Sequence, residues 1–425
     1  MSSKKPKATR RRMISCFAQI LQEHLPGWKI EDIAADEKVK ARKFSYSSQV
    51  YLLMLSQFLH LFSLNEIVDV SKIYAPELSR IRGITPASLN TFSNANRTRN
   101  PGVMQMFFWT VYDMFRRDEP DFVKGRHHGR LSKFKLRGIY AIDSTTIQLA
   151  YWCIDWAKHR QKKAAIKVHM VANIANRLPH FCVFGKAKDH DSKMEDELFN
   201  SLKEGDIGIA DRAYNCFKSL YRQSERGVFF VVREKTGMKY RVVKKIPKKD
   251  AKKGHDDNII SDEIICLTGQ RTSKEYPEEL RRVKAHVKVN GVWRTMVFLT
   301  NNFEWAASTI AELYKARWEV ELLFKELKQT LQFQDFYGEN ENAVEWQIWA
   351  ALLTHLVLRW LKYKSGAACS YSRFAALVRA IVWLKKDAMA ILRSYGIAPP
   401  SDSGGVATGM PYLPGFEKMF LKAVG

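Results

Sequence analysis

Cysteine is scarce in this chain of 425 residues: six occur, at positions 16, 153, 182, 216, 266 and 369, and no two are spaced as a C-x-x-C knuckle. Such spacing speaks against a disulfide framework and a structural zinc site, and scattered thiols fit a reducing cytosol. Long apolar runs are also lacking. The most apolar stretch, Trp346–Leu361, is broken by Gln347, His355 and Arg359, so it reads as a buried core helix and no membrane span is expected. Segment 2–12 is basic, yet no apolar run follows it, and a secretory signal is not expected. Internal repeats are missing. Negative charge is in short supply, with 44 Asp and Glu against 69 Lys and Arg, a formal net charge of +25. That imbalance points to a polyanionic partner, nucleic acid before an anionic membrane surface. What is present is otherwise ordinary: 46% hydrophobic and 27% charged residues rule out a disordered or fibrous chain.

Residues 1–12 carry Lys4, Lys5, Lys7, Arg10, Arg11 and Arg12 and read as a basic arm. From Met13 to about Arg117 the pattern is helical. Met54, Leu55, Phe58, Leu59 and Phe62 recur at helical steps, as do Met104, Phe107, Phe108, Val111 and Phe115. Short basic helices suit a DNA-reading module or an ordinary helical domain; region 13–130 is expected to bind DNA.

After the basic linker 124–137, Gly138–Asp143 reads as a short buried strand ending in a carboxylate. Strands are expected over Ala165–Ile174 and His180–Phe184. Ser192 with Glu195 predicts a capping box at a helix start, and Asp206–Asp211 reads as another strand ending in an acid. A helix to about Glu225 and the strand Val228–Val232 follow. This succession predicts a mixed α/β domain over 131–335. Within it, 234–302 reads as a β-rich insertion, with strands over Ile259–Leu267 and Val283–Val289 and a hairpin turn at Asn290-Gly291. One long helix is expected over Ala306–Leu331. Helices over 345–363 and 371–395 make up a C-terminal region, 336–425, assigned to dimerisation, with a loosely ordered tail.

Asp143 and Asp211 each close an apolar run on strands expected to lie side by side. Adjacent carboxylates repel unless a cation neutralises them, and hard divalent ions take oxygen ligands. Taken alone, a strand-end Asp is more often a turn cap than a ligand. The long helix tilts that balance. Tyr314, Arg317, Glu321 and Lys328 stand at i, i+3, i+7 and i+14, one narrow stripe at about 100° per residue. Such a stripe could be a solvated, salt-bridged face. The neighbouring stripe, however, carries core residues, so a carboxylate on it can complete a two-Asp metal site.

The spacing Tyr314-x2-Arg317-x3-Glu321-x6-Lys328 resembles the signature of bacterial DDE transposases of the insertion-sequence-4 group. Asp143 in YAIDSTTI and Asp211 in IADRAY, with Arg212 and Tyr214, are similar to the two acidic motifs. Lys167 and His169, His190-Asp191 and Leu299-Thr300-Asn301 also match, so the resemblance covers about residues 90–335.

It implies an RNase H-like catalytic core interrupted by the β-rich insertion, with helical terminal regions. Asp143, Asp211 and Glu321 would be catalytic and would hold Mg²⁺, or Mn²⁺ in its place. Tyr314, Arg317 and Lys328 would contact phosphates of the element end. Arg212, Arg233 and Lys244, Lys245, Lys248 and Lys249 of the basic stretch 239–253 would bind DNA. Trp293 is the candidate to stack on a flipped base of a DNA hairpin, with plain hairpin packing as the other reading. The implied activity is metal-dependent cut-and-paste transposition by a cytoplasmic, nucleoid-associated homodimer. Its substrates would be double-stranded DNA: inverted-repeat ends and target. A catalytically silent DNA-binding derivative and a metal-dependent nuclease of the same fold are the alternatives.

Overall fold

A computed structural model describes residues 14–81, 84–125, 127, 129–134, 137–149, 158–160, 163–186, 194–247, 258–289, 291–333 and 336–395. The basic arm, His190-Asp191, Ser192, Lys248, Lys249, Asn290 and the C-terminal tail lie outside the described residues.

Helices come first: Cys16–His24 (α1), Trp28–Ile33 (α2), Tyr46–Leu59 (α3), Leu64–Ile73 (α4), Ala75–Leu78 (α5), Leu89–Thr98 (α6), Gly102–Asp118 (α7) and Pro120–Lys124 (α8). Serine starts α1, α3, α4 and α6, each side chain accepting a backbone N–H that the first turn would otherwise leave unpaired. The apolar stripe of α3 ends one turn earlier than its periodicity predicts. His60 leaves the helix in the left-handed region, and Phe62 stands 60% exposed beyond it.

The sheet begins with Ile139–Leu149 (β1), Lys158–Arg160 (β2), Lys163–Asn173 (β3) and Leu178–Lys186 (β4). Then come helix Glu195–Asn200 (α9), strand Ile207–Ala210 (β5), helix Phe217–Glu225 (α10) and strand Phe229–Arg233 (β6). β3 is antiparallel to both β1 and β4, while β5 is parallel to β1 and to β6. The order β4–β3–β1–β5–β6, antiparallel on one side of β1 and parallel on the other, is the RNase H-like arrangement.

Four further strands follow: Tyr240–Lys245 (β7), Ile259–Leu267 (β8), Leu280–Val289 (β9) and Val292–Thr300 (β10), with helix Thr272–Glu275 (α11) between β8 and β9. They do not form a separate layer. β10 pairs antiparallel with β6, Phe298 opposite Arg233, so the insertion prolongs the core into one 10-stranded sheet. The β9–β10 turn holds Gly291 at φ 80°, a conformation that suits glycine. Six residues of the expected basic stretch 239–253 form the edge strand β7, whose cations blunt an otherwise open edge.

Four further expectations are corrected. β1 does not end at Asp143 but continues six residues, to Leu149, paired with β3 throughout. The long helix is two, Ala307–Ala316 (α12) and Trp318–Thr330 (α13), and so is 371–395: Tyr371–Ile381 (α15) and Ala388–Tyr395 (α16). The helix expected to start at Ser192 begins later, at Glu195, and Met194 before it gives no side-chain cap.

Between α13 and α15 runs Glu341–Ser365 (α14), buried along nearly its whole length and packed on α3, α6 and α7. N-terminal and C-terminal helices thereby share one apolar core with the near face of the sheet. A smaller cluster, built around Phe199, Tyr214 and Phe230, fills the opposite face.

Candidate catalytic site

The parallel register of β1 and β5 ends at Ile142 opposite Ala210. The next residues on the two strands are Asp143 and Asp211. The sheet alone therefore brings two acids side by side from positions 68 residues apart. Both follow a buried residue of the far-face cluster, so strand alternation turns them to the near face, where α12 and α13 lie.

Arg317 is the single residue between α12 and α13. Its amide donates to the Tyr314 carbonyl and its carbonyl accepts from Val320, both three-residue steps of a tightened turn. The predicted stripe survives this break. Tyr314 Oη donates to Asp211 Oδ1 at 3.0 Å. Arg317 Nη1 donates to Asp143 Oδ2 at 2.7 Å, and Nη2 to Glu321 Oε1 at 2.6 Å. Lys328 Nζ donates to Thr145 Oγ1 at 2.6 Å, two residues past Asp143 on β1.

One guanidinium thus spans the first and third carboxylates, and Arg233 Nη1 stands 3.9 Å from the second. Burial pushes the Asp143 carboxyl up to about 6, with the Glu321 and Asp211 charges adding to the rise and Arg317 opposing it. Burial, with Asp211 beside it, raises the Tyr314 phenol to about 12, so it remains a hydrogen-bond donor. Burial disfavours the Arg317 cation, yet Asp143, Tyr314 and Glu321 hold it firmly charged. Its Nε is buried with no acceptor among the described residues.

Two hollows flank this bridge. One, of about 540 Å³, is lined by Asp211, Arg233, Lys288, Arg294, Tyr314 and Arg317. The other, of about 590 Å³, is lined by Asp143, Thr145, Glu321, Lys325 and Lys328. Among the described residues no three Asp, Glu, His or Cys side chains converge into a ready cation cage. The donor set nonetheless fits a hard divalent ion: three carboxylates, no soft ligand, and one arginine neutralising two of the acids.

Other expected residues fall further out. Arg212 is exposed in the short turn after β5, and Lys244 and Lys245 are exposed on β7. Trp293 is 56% exposed, opposite Lys288 and two residues past Gly291 of the hairpin turn. Alternation along β10 sets it on the other face from Arg294, Met296 and Phe298, and Phe298 packs on Tyr314 at 4.6 Å between ring centroids. Arg294 therefore lies on the carboxylate side of the hairpin and, with Lys288, lines the Asp211 hollow; sequence reasoning missed it, and its period-two spacing from Met296 and Phe298 was the available signal. Thr145 was missed too, lying inside a quoted motif without a role.

The turn bearing Asp211 is bolted from behind. Asn215 Nδ2 donates to the Arg233 carbonyl at 3.0 Å, and Tyr214 Oη lies 3.1 Å from His169 Nδ1. Both Glu195 oxygens accept the Cys216 N–H, at 3.0 and 3.1 Å. Burial pushes the Glu195 carboxyl from 4.5 up to about 8, against the pull of that hydrogen bond. Between those two pH values the folded chain keeps a proton that the unfolded chain has released, so stability falls as pH rises through the window. Glu195→Gln, which keeps an acceptor without a charge, is expected to flatten the fall in thermal midpoint between about pH 4.5 and about pH 8. Parallel profiles for the variant and the parent would remove Glu195 from that account.

Residues 135–357 match the Transposase DDE domain family. The chain is 31% identical over 258 residues to y4zB of Sinorhizobium fredii, a protein named as a transposase, covering 61% of this chain and 70% of that one. It is 29% identical over 237 residues to a protein of Geobacillus stearothermophilus named as the transposase of insertion sequence element IS5377, covering 55% and 60%. A Synechocystis protein, named for insertion sequence element IS4SA, is 25% identical over 286 residues, covering 66% and 73%.

Proposed function

The chain belongs to the DDE transposase family, with relatives in the insertion-sequence-4 group, and from that premise we propose that it moves an insertion sequence by cut-and-paste phosphoryl transfer. The family implies dependence on a divalent metal; the ion we propose is Mg²⁺, replaceable by Mn²⁺, held by Asp143, Asp211 and Glu321. Bound there, the ions would supply the positive charge that stabilises the attacking and leaving oxygens of an in-line displacement.

The observation that carries the reading is the run of contacts from one helical stripe to two adjacent strands: Tyr314 to Asp211, Arg317 to Asp143 and Glu321, Lys328 to Thr145. Hydrolysis breaks the bond between phosphorus and the 3′ oxygen at each element end. The freed 3′-OH then attacks a target phosphodiester and displaces its 3′ oxygen. Arg317, whose Nε lacks an acceptor, orients the scissile phosphate; Lys328 and Tyr314 position phosphates on either side. Arg233 beside Asp211, and Arg212, Lys244 and Lys245, with Lys248 and Lys249, bind the DNA backbone. The working form is a homodimer holding two element ends. Region 13–130 reads DNA, and 336–425 contributes to pairing the subunits.

Incubating the purified chain with Mg²⁺ and a supercoiled plasmid carrying its own element ends tests this. Excision followed by joining is expected. Binding without cutting would favour a silent derivative, and cutting without joining a nuclease. Trp293→Ala is expected to nick a labelled end at a near-normal rate and to accumulate nicked, unhairpinned DNA, because base stacking on an aromatic ring is worth about 1–3 kcal/mol. Normal progression on a denaturing gel would leave Trp293 a surface residue of the hairpin. Trp305, the next tryptophan along, is half-buried against Phe134 and Phe229.

A further inference from the structure

A second set of charges grips α13 from the side away from the carboxylates. Arg177, in the turn between β3 and β4, donates from Nε to Glu319 Oε2 and from Nη1 to Glu326 Oε1, each at 2.6 Å. Arg359 of α14 binds the other oxygen of Glu326. Glu319 and Glu326 are seven residues apart, two turns of one helix, and so share a stripe. Glu321 is two residues from Glu319, about 200° around the axis, on the opposite side. The acid that faces Asp143 is therefore carried by a helix whose back is held at two points by one guanidinium.

The turn that presents Arg177 is built to hold it still. Arg177 has φ 56°, a region that residues with a Cβ rarely adopt and that the surroundings must enforce. Its amide donates to the Asn173 carbonyl at 2.9 Å, while Asn176 Nδ2 donates to the Phe122 and Val123 carbonyls at 2.9 and 2.6 Å. The Arg177 carbonyl faces His355 Nε2 at 3.1 Å. A carbonyl can only accept, so the proton sits on Nε2, and Nδ1 accepts from Tyr371 Oη at 2.8 Å. His355 is fully buried, and burial keeps its ring neutral. α14 and α15 thus support the turn from beneath.

We infer that Arg177 is a positioning residue for the reaction: it fixes the roll of α13, and with it the distance of the Glu321 carboxylate from Asp143 and Asp211. The inference rests on the DDE reading of those acids and adds a part that no motif contains. On the carboxylate side, Arg317 and Lys328 tie α13 to β1 through the acids and Thr145. Those contacts are remade whenever DNA or a cation enters. The Arg177 contacts involve none of Asp143, Asp211 and Glu321, so they persist when those acids change partners and set where Glu321 returns.

Misplacement of a reacting group by about 1 Å costs on the order of 100-fold in rate. The test uses the full chain, a labelled element-end duplex and an Mg²⁺ titration, with Mn²⁺ binding followed by electron paramagnetic resonance in the absence of DNA. Arg177→Ala is expected to lower the cleavage kcat about 10- to 100-fold, with KM for the end duplex unchanged. The Mn²⁺ midpoint should rise. Arg177→Lys, a single point charge that cannot fork to two carboxylates, is expected to fall between Ala and the parent. Glu319→Gln keeps an acceptor, leaves the Glu326 pair intact and is expected to lose less than Arg177→Ala. It decides the matter if Arg177→Ala does not fold. Parent-like kcat and Mn²⁺ midpoint in folded Arg177→Ala, or in Glu319→Gln when the former cannot be prepared, would overturn the inference. An unmutated chain that cuts no element end would instead remove the reading on which the inference rests.

Discussion

Asp143→Asn, Asp211→Asn and Glu321→Gln are each expected to reduce end cleavage and strand transfer by about a thousandfold or more, about 4 kcal/mol of lost transition-state stabilisation. Each substitution keeps the side chain's size and removes one anionic oxygen donor from a set of three. Hard divalent ions bind through such oxygens. Binding to the element end should remain near normal, because the cationic surface that supplies non-specific DNA affinity is untouched. Gel-shift and single-turnover cleavage assays on the same preparations separate the two effects. Substantial Mg²⁺-dependent cutting by any one of the three would remove that acid from the site.

Arg317→Ala is expected to cost about 100- to 1000-fold in cleavage, in the range found for losing a preorganised charged donor beside a reacting centre. Arg317→Lys should recover only a part, since an ammonium cannot reach two carboxylates in a fixed fork. The ion pairs add a second, independent expectation. Arg317 holds Asp143 at 2.7 Å and Glu321 at 2.6 Å. Without it, two partly buried carboxylates face each other unneutralised, so the metal-free thermal midpoint should drop. Added Mg²⁺ should then raise the midpoint more in the variant than in the parent, because a ligand stabilises whichever folded state binds it better. Equal Mg²⁺-induced shifts in the two proteins would show that Arg317 and the cation do not answer to the same charges.

The site was more legible than its surroundings. Asp143, Asp211 and the Tyr314–Lys328 stripe follow from short apolar runs and helical spacing, and such signals live in contiguous residues. The same local rules misjudged where elements stop. β1 was expected to end at Asp143 because the apolar run ends there, yet pairing with β3 carries it to Leu149. The single helix expected over 306–331 breaks at Arg317, where the periodicity of its apolar positions is undisturbed. Glu195 looked like half of a capping box and is spent on the Cys216 amide, 21 residues along the chain.

Sequence by itself determined the succession of strands and helices in the core, the acids and bases proposed to carry the chemistry, and the cationic excess that points to DNA. Periodicity, turn residues and charge act over a few residues, so the local sequence specifies them without reference to the rest of the molecule. Tertiary structure alone decided that the β insertion joins the core sheet through β6 and β10 instead of standing apart, and that terminal helices share a core. It alone placed Arg317 between Asp143 and Glu321, and Arg177 on α13 from more than 140 residues away. Such contacts join residues whose local patterns carry no mark of each other. They form only when many buried surfaces, each worth about 25 cal/mol per Å² of apolar area, settle together into one packing.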